Sequence, residues 1–248
     1  METRFIRSLH HPFVKYFLKL REDKAFRYGE KKVVVMGKKI LADWSKDYPI
    51  EILLSSDEEA ARFLPSKERY LVTQDILKKI TALSAPEPLV AVVPMPSWQD
   101  VSKAKHLLVL DKVADPGNLG TLLRTALALG WDGVFLTDDS CDPFNDKAMR
   151  AAKGATFRLP MQKGSIEELC SLVEKGEMAV YVADIHGADC TTLSYGEPLA
   201  LILGNESCGP NPILKEKFTR IAISMKNMES LNVASAGAIL LYHLKGFS

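Results

Sequence analysis

Cysteine is scarce in this chain and unpatterned. The four cysteines, Cys141, Cys170, Cys190 and Cys208, form no C-x-x-C pair and have no histidine at ligand spacing. That argues against a zinc site and against a disulfide framework, and it fits a reducing compartment. Long apolar runs are also missing. The longest candidate, 198–204, is strand-sized, far short of the roughly 20 residues that span a bilayer, so no membrane segment is expected. Residues 1–10 lack the apolar core of a secretory signal. They are basic and poor in acids, as an organelle transit peptide would be. Phe13, Phe17 and Leu20 already read as core-facing helix positions, so the expectation is a cytoplasmic protein. Neither G-x-G-x-x-G nor a Walker A sequence occurs, and Gly117 and Gly120 meet neither spacing. A dinucleotide enzyme or a nucleoside triphosphatase is therefore disfavoured.

What is present is the composition of a packed globular protein: 47% hydrophobic and 25% charged over 248 residues, enough for one large or two small domains. The net charge is only +1, but it is unevenly spread. Residues 1–40 hold eleven lysines and arginines, among them Arg4, Arg7 and Lys15, against Glu2, Glu22, Asp23 and Glu30, a local excess of seven. A basic lobe on a neutral protein suits a phosphate backbone, and a solvated helix face would look the same.

Periodicity divides the chain. An amphipathic helix is expected over 12–27, with Pro12 in its first turn, then strands at 32–36, 50–54, 70–73 and 89–94 and helices at 38–47, 57–63 and 74–82. This reads as a small α/β domain over residues 1–96. A proline-bearing linker follows, 97–105. Residues 106–248 alternate more clearly, with strands at 106–113, 133–138, 157–161, 179–185, 199–203 and 221–225. Helices are expected at 119–129, 146–152, 166–175, 211–218 and 231–244. The unbroken apolar run 199–203 is what a parallel strand covered on both faces requires.

Three polar clusters follow strand-like runs. In Asp115-Pro-Gly-Asn-Leu-Gly-Thr-Leu-Leu-Arg124, Pro116 and Gly117 turn the chain and Asn118 is a candidate N-cap. Asn118 and Arg124 are expected to face the strand-end cleft, where a helix N-terminus and a guanidinium could hold an anion. In Leu203-Gly-Asn-Glu-Ser-Cys-Gly209, Gly204 allows close approach of a ligand, and Glu206 at a strand end needs partners. In Glu229-Ser-Leu-Asn-Val-Ala-Ser-Ala236, Ser230 and Asn232 precede a helix rich in small residues. Its interior Gly237 calls for a packing reason, since glycine costs about 0.5–1 kcal/mol there.

In this order and spacing the clusters resemble the three motifs of the SpoU/TrmH family, in the SPOUT superfamily of RNA methyltransferases. The resemblance is strong over 106–245 and weaker over 1–95, which is similar to the L30e-like substrate-binding domain of several ribosomal RNA methyltransferases. It implies an α/β fold: a C-terminal SPOUT trefoil-knot domain with a parallel sheet behind a smaller L30e-like α/β domain. It also implies S-adenosylmethionine as cofactor, a homodimer, no metal, and 2′-O-methylation of a ribose in RNA, ribosomal before transfer RNA. Carried over by position, Arg124, Asn118, Glu206, Ser230 and Asn232 would form the catalytic set. Leu203, Gly204, Asn205, Ile223, Met225 and Leu231 would hold the cofactor. Family accounts give the arginine the role of activating the hydroxyl. An arginine rarely releases its proton, so an electrostatic anchor is the better chemical expectation for Arg124. The chain departs from the family at Ile223-Ser224-Met225, where Ile-Pro-Met is usual, and at His243, where glutamate is frequent. Competing expectations are a transfer RNA enzyme and an inactive knot that binds RNA during ribosome assembly.

Overall fold

The structure is a computed structural model and describes residues 4–246; Glu2 of the basic lobe lies outside them. The chain divides into two compact units. One runs through Pro96 and includes Phe144–Asp146, and the other comprises Ser97–Pro143 and the chain from Lys147 onward.

The first unit carries β1 (Arg4–Ile6), α1 (Pro12–Glu22), α2 (Lys24–Glu30), β2 (Lys32–Met36), α3 (Lys38–Trp44) and β3 (Ile50–Ser55). It continues with α4 (Glu58–Arg62), β4 (Ser66–Val72), α5 (Gln74–Thr81) and β5 (Leu89–Pro94). Among the described residues its sheet has the order β1-β4-β3-β5-β2, with β4 parallel to both neighbours and β5 antiparallel to both of its own. Phe17 and Leu20 pack with Ile52, Leu54, Ile76 and Val92 in its core. The single helix expected over 12–27 is two. Asp23 closes α1 through its own N–H to Lys19 O and caps α2 by accepting from Phe26 N at 3.0 Å. The strand β1 has no counterpart in the sequence reading; three residues are too few to show a period.

The second unit carries β6 (His106–Leu110), α6 (Pro116–Ala128), β7 (Gly133–Thr137), α7 (Asp146–Ala152), β8 (Met161–Gly164) and α8 (Ile166–Lys175). It ends with β9 (Ala179–Asp189), β10 (Leu199–Leu203), α9 (Pro212–Lys217), β11 (Thr219–Ala222) and α10 (Val233–Leu244). Its sheet is all parallel, in the order β11-β9-β10-β6-β7-β8. Every residue of β6, β7 and β10 is buried, as expected for strands covered on both faces. Residues 97–105 are tied to this unit: Gln99 N donates to Met161 O at 2.8 Å, and Val101 is buried.

Several boundaries differ from the periodicity reading. A 3-10 turn occupies Ala155–Phe157, and the strand comes later, at Met161–Gly164. β9 runs on to Asp189, β11 ends at Ala222, and α10 starts at Val233 because Asn232 caps it. The strand order reverses between β6 and β10. Ligands of open parallel sheets bind beyond the carboxyl ends of the strands at such a switch point.

Candidate active site

Beyond the ends of β6, β9, β10 and β11 the chain makes its loops, and the three polar clusters meet there. Pro116 occupies the first turn of α6, and Asp115 is the residue that caps it, accepting from Asn118 N at 2.9 Å. The cap expected from Asn118 is thus supplied three residues earlier, and the Asn118 side chain is released for other bonds. Its Nδ2 donates to Glu206 Oε1 at 3.0 Å, and its Oδ1 accepts from Asn232 Nδ2 at 3.1 Å. Asn232 is the N-cap of α10, with Oδ1 accepting from Ala234 N and Ser235 N at 2.9 and 3.3 Å. That pattern fixes both amide orientations: the cap requires the Asn232 oxygen inward, so its NH2 must point to Asn118. One directional chain, Asn232 to Asn118 to Glu206, fastens all three clusters together.

Glu206 is exposed yet well supplied with donors. Its carboxylate also accepts from Ala114 N and Asp115 N, both at 3.2 Å. It does not cap α9, whose cap is Asn211. Partial burial pushes its carboxyl up. The bonds from Asn118 and from the backbone N–H groups outweigh that, and the net shift is downward. Asp115 is lowered as well, first by Lys147 Nζ at 2.7 Å and then by the Asn118 N–H. Cys141 moves the other way, to about 12, through burial and the negative charges of Asp142, Glu206 and Asp115.

A cavity of about 470 Å³ lies beside this chain of bonds. Its size is that of a small-molecule site. Leu203, Gly204, Asn205 and Glu206 line it from one loop, and Ile223, Met225, Ser230, Leu231 and Asn232 from another. Asn205 bonds inward, Nδ2 to Lys112 O at 2.9 Å, with Oδ1 accepting from Ser207 N and Cys208 N. It shapes the loop. Gly204 is required by a close approach, but of the chain itself: a methyl group there would lie 2.1 Å from Pro210 N. The cavity also meets residues that the periodicity did not single out, Asp184 and His186 from the middle of β9 and Lys215 from α9. The Asp184 carboxylate is nearly buried, accepts from His186 N at 2.9 Å, and stands 3.6 Å from Lys215 Nζ. Asp184 and His186 stood only near the end of the expected strand 179–185, which the structure extends to Asp189, and Lys215 carried no signal.

Arg124 is not brought to the cavity within the described residues. It is exposed, with no hydrogen-bond or ion-pair partner among them. Six residues along a helix place it about 9 Å up the axis and about 120° round from Asn118. The departure at Ser224 has a partner: its hydroxyl donates to Asp189, which also accepts from Thr191, and the carboxyl falls to about 2. Among the described residues no group of His, Cys, Asp or Glu could hold a metal ion, and no helix is long and apolar enough to cross a membrane.

The family model for the SpoU rRNA Methylase family matches residues 105–242, the stretch that contains all three clusters. The chain belongs to the SpoU family. It is 37% identical over 180 residues to the 23S rRNA (guanosine(2553)-2′-O)-methyltransferase RlmP of Bacillus subtilis, covering 71% of this chain and 72% of that one. A 23S rRNA (adenosine(1067)-2′-O)-methyltransferase of Streptomyces azureus is 32% identical, over 62% of this chain and 60% of that protein. The AdoMet-bound rRNA methyltransferase from Sinorhizobium meliloti superposes with a TM-score of 0.86 at 26% identity, covering 98% and 97% of the two chains. The α/β fold with its parallel sheet matches SPOUT methyltransferase structures. SpoU methyltransferases use S-adenosylmethionine, and the cavity suits it. Apolar walls from Leu203, Leu231 and Leu240 could face adenine and the methionine chain, and the polar end at Asp184 and Lys215 could face hydroxyl, ammonium or carboxylate groups.

Proposed function

We propose that this SpoU-family chain is an RNA (ribose-2′-O)-methyltransferase that uses S-adenosylmethionine and acts on ribosomal RNA. The observation that carries this is the bond chain Asn232–Asn118–Glu206 at the rim of a cofactor-sized cavity. The rRNA 2′-O-methyltransferases among its relatives support the reaction and the RNA class. Those relatives differ in the base they modify, so the nucleotide is set by residues outside the shared clusters.

Bound S-adenosylmethionine supplies a methyl group already activated on a sulfonium, so no metal is needed. The chain's own task is to hold the weakly nucleophilic ribose hydroxyl in line, and positioning of that kind can contribute about 7–11 kcal/mol. Leu203, Gly204, Asn205, Ile223, Met225 and Leu231 form the cofactor wall. Asn118, Glu206 and Asn232 bond to one another and to backbone N–H groups of the flanking loops and helix and keep that wall in register, and exposed Ser230 at the rim contacts the nucleotide. Arg124 grips a phosphate and, as a cation, stabilises the developing alkoxide. Its freedom from protein partners suits that role.

The protein works as a cytoplasmic homodimer, and the outward face of α10, with exposed Ile239 and Tyr242, supports the contact. Residues 1–96 serve as an L30e-like RNA-binding domain; their separate core and the exposed Arg7 and Lys15 support this. Calorimetric titration of S-adenosylmethionine, followed by mapping of ribose methylation across ribosomal and transfer RNA in a deletion strain, tests the whole. The expected result is micromolar-range binding and one missing ribosomal RNA mark. No cofactor binding would favour an RNA-binding assembly protein, and a missing transfer RNA mark would move the substrate. Arg124→Ala should abolish methyl transfer and leave cofactor affinity within about threefold. Loss of both in parallel would remove Arg124 from the chemistry.

A further inference from the structure

Asp111 follows β6 directly and is fully buried, 0% exposed. A carboxylate taken wholly out of water is costly unless it is well bonded. Its partners come from two other elements. Oδ2 accepts from Asn211 N at 2.7 Å, and Oδ1 accepts from Thr137 Oγ1 at 3.3 Å, at the end of β7. Its own N–H donates to Leu203 O at 2.8 Å. Leu203 and Asn211 are the two ends of the loop that turns from β10 into α9 and forms one wall of the cavity. Asp111 therefore grips that loop at its start through the backbone and at its finish through the carboxylate, while touching neither the cavity nor the three-residue chain above it.

We infer that Asp111 is a positioning residue for the cofactor wall: its buried carboxylate clamps the return of the loop 204–211 at Asn211 and so sets the shape of the cavity. This rests on the cavity being the S-adenosylmethionine site. Asparagine at 111 can keep the essential acceptor, turning its oxygen to Asn211 N and its NH2 to Thr137 Oγ1. Alanine cannot, and leaves the part-buried Asn211 N–H without its carboxylate partner.

The experiment is calorimetric titration of the full chain with S-adenosylmethionine, with RNA affinity measured in parallel. Asp111→Ala should weaken cofactor binding by about tenfold or more, because the loop that shifts to relieve the unpaired Asn211 N–H must return to its binding shape before the cofactor can seat. Asp111→Asn should return it to within a few-fold of the parent, and RNA affinity should hold throughout. Should Asp111→Ala fail to fold, position 211 gives a second route. Asn211 has φ −54°, which proline adopts without strain. Asn211→Ala removes only the helix cap, whereas Asn211→Pro removes the cap and the N–H. Proline binding the cofactor at least about fivefold more weakly than alanine supports the clamp. An unchanged cofactor affinity in Asp111→Ala, equal affinities in the two position-211 variants, or a parallel loss of RNA affinity would overturn it. A parent protein that binds no cofactor would instead sink the assignment of the cavity.

Discussion

At the residue scale the site is a matter of hydrogen-bond direction. Asn118 must accept from Asn232 and donate to Glu206 at the same time, which an amide can do and a carboxylate cannot. Asn118→Asp should therefore be worse than Asn118→Ala, because it sets a second negative charge beside Glu206 instead of merely emptying the place. We expect alanine to lower kcat/KM by about ten- to a hundredfold and aspartate by more. The gap should narrow as pH falls. Glu206 has its carboxyl lowered in the fold, so it is charged and bonded at neutral pH and loses that form only as pH drops below the ordinary carboxyl range near 4.5. Steady-state kinetics of the two variants from pH 8 to pH 4 check this, and a milder aspartate variant would disprove it. These residues were legible in the sequence as polar clusters after apolar runs, but their division of labour was not. Asp115 and Asn118 are both good capping residues, and only the path of the chain after Leu110 decides which one caps. Asp111 and Asp184 were invisible for a related reason: a lone acid at the edge of an apolar run carries no pattern, and its surroundings are set by residues distant in sequence, Asn211 for the one and Lys215 for the other.

At the scale of elements, the parallel strands were plain because strands covered on both faces must be apolar throughout. Their ends were less so. The end of β9 reads as polar chain, yet it pairs with β11 through a shift in register, Ile221 opposite Ala188. The unusual glycine of α10 finds its reason in packing. A methyl group at Gly237 would sit 2.3 Å from Leu122 Cδ2 on α6 and 2.7 Å from Leu203 Cδ1 at the end of β10. The helix is pressed against its own subunit there, and the neighbours are side chains, not backbone. Gly237→Val should therefore cost about 1–3 kcal/mol by overpacking, against the small helical gain expected from Gly237→Ala on propensity alone. Because Leu203 also lines the cavity, the same change should weaken S-adenosylmethionine binding. Thermal unfolding with and without cofactor measures both effects. A valine variant as stable as the parent would show that the neighbouring side chains yield easily. The departure at His243 has a structural reason too: Nε2 lies 2.9 Å from Cys190 O, so the ring in its Nε2–H form donates where a glutamate could only repel.

At the scale of the molecule, the basic lobe shrinks when its members are placed. Arg27 is buried and donates to Leu20 O and Arg21 O, closing α1, and Lys32 pairs with Glu51 at 2.7 Å. Arg7 and Lys15 remain exposed and without partners among the described residues, so they are the better candidates for gripping phosphate. Replacing both by Gln should flatten the log–log dependence of RNA affinity on salt by roughly 0.7–0.9 for each phosphate no longer neutralised. An unchanged slope in a filter-binding series would make the lobe a solvated face. The outward face of α10 asks a different question of the molecule. Ala238, the small residue in the run that suggested close packing, is half-buried, and the exposed positions are Ile239 at 45% and Tyr242 at 53%, three apart on one stripe of the helix. Two large side chains side by side on the outward stripe of a helix are suited to self-association around a twofold axis. Arg124, which the single chain leaves away from its own cavity, would gain a substrate position if the partner completes the RNA site. Ile239→Glu with Tyr242→Glu should then give a monomer that still binds S-adenosylmethionine but methylates poorly. Light scattering at assay concentration, read beside the methylation rate, separates the possibilities. A monomeric parent with full activity, or a monomeric variant that keeps it, would show that one chain carries the whole site.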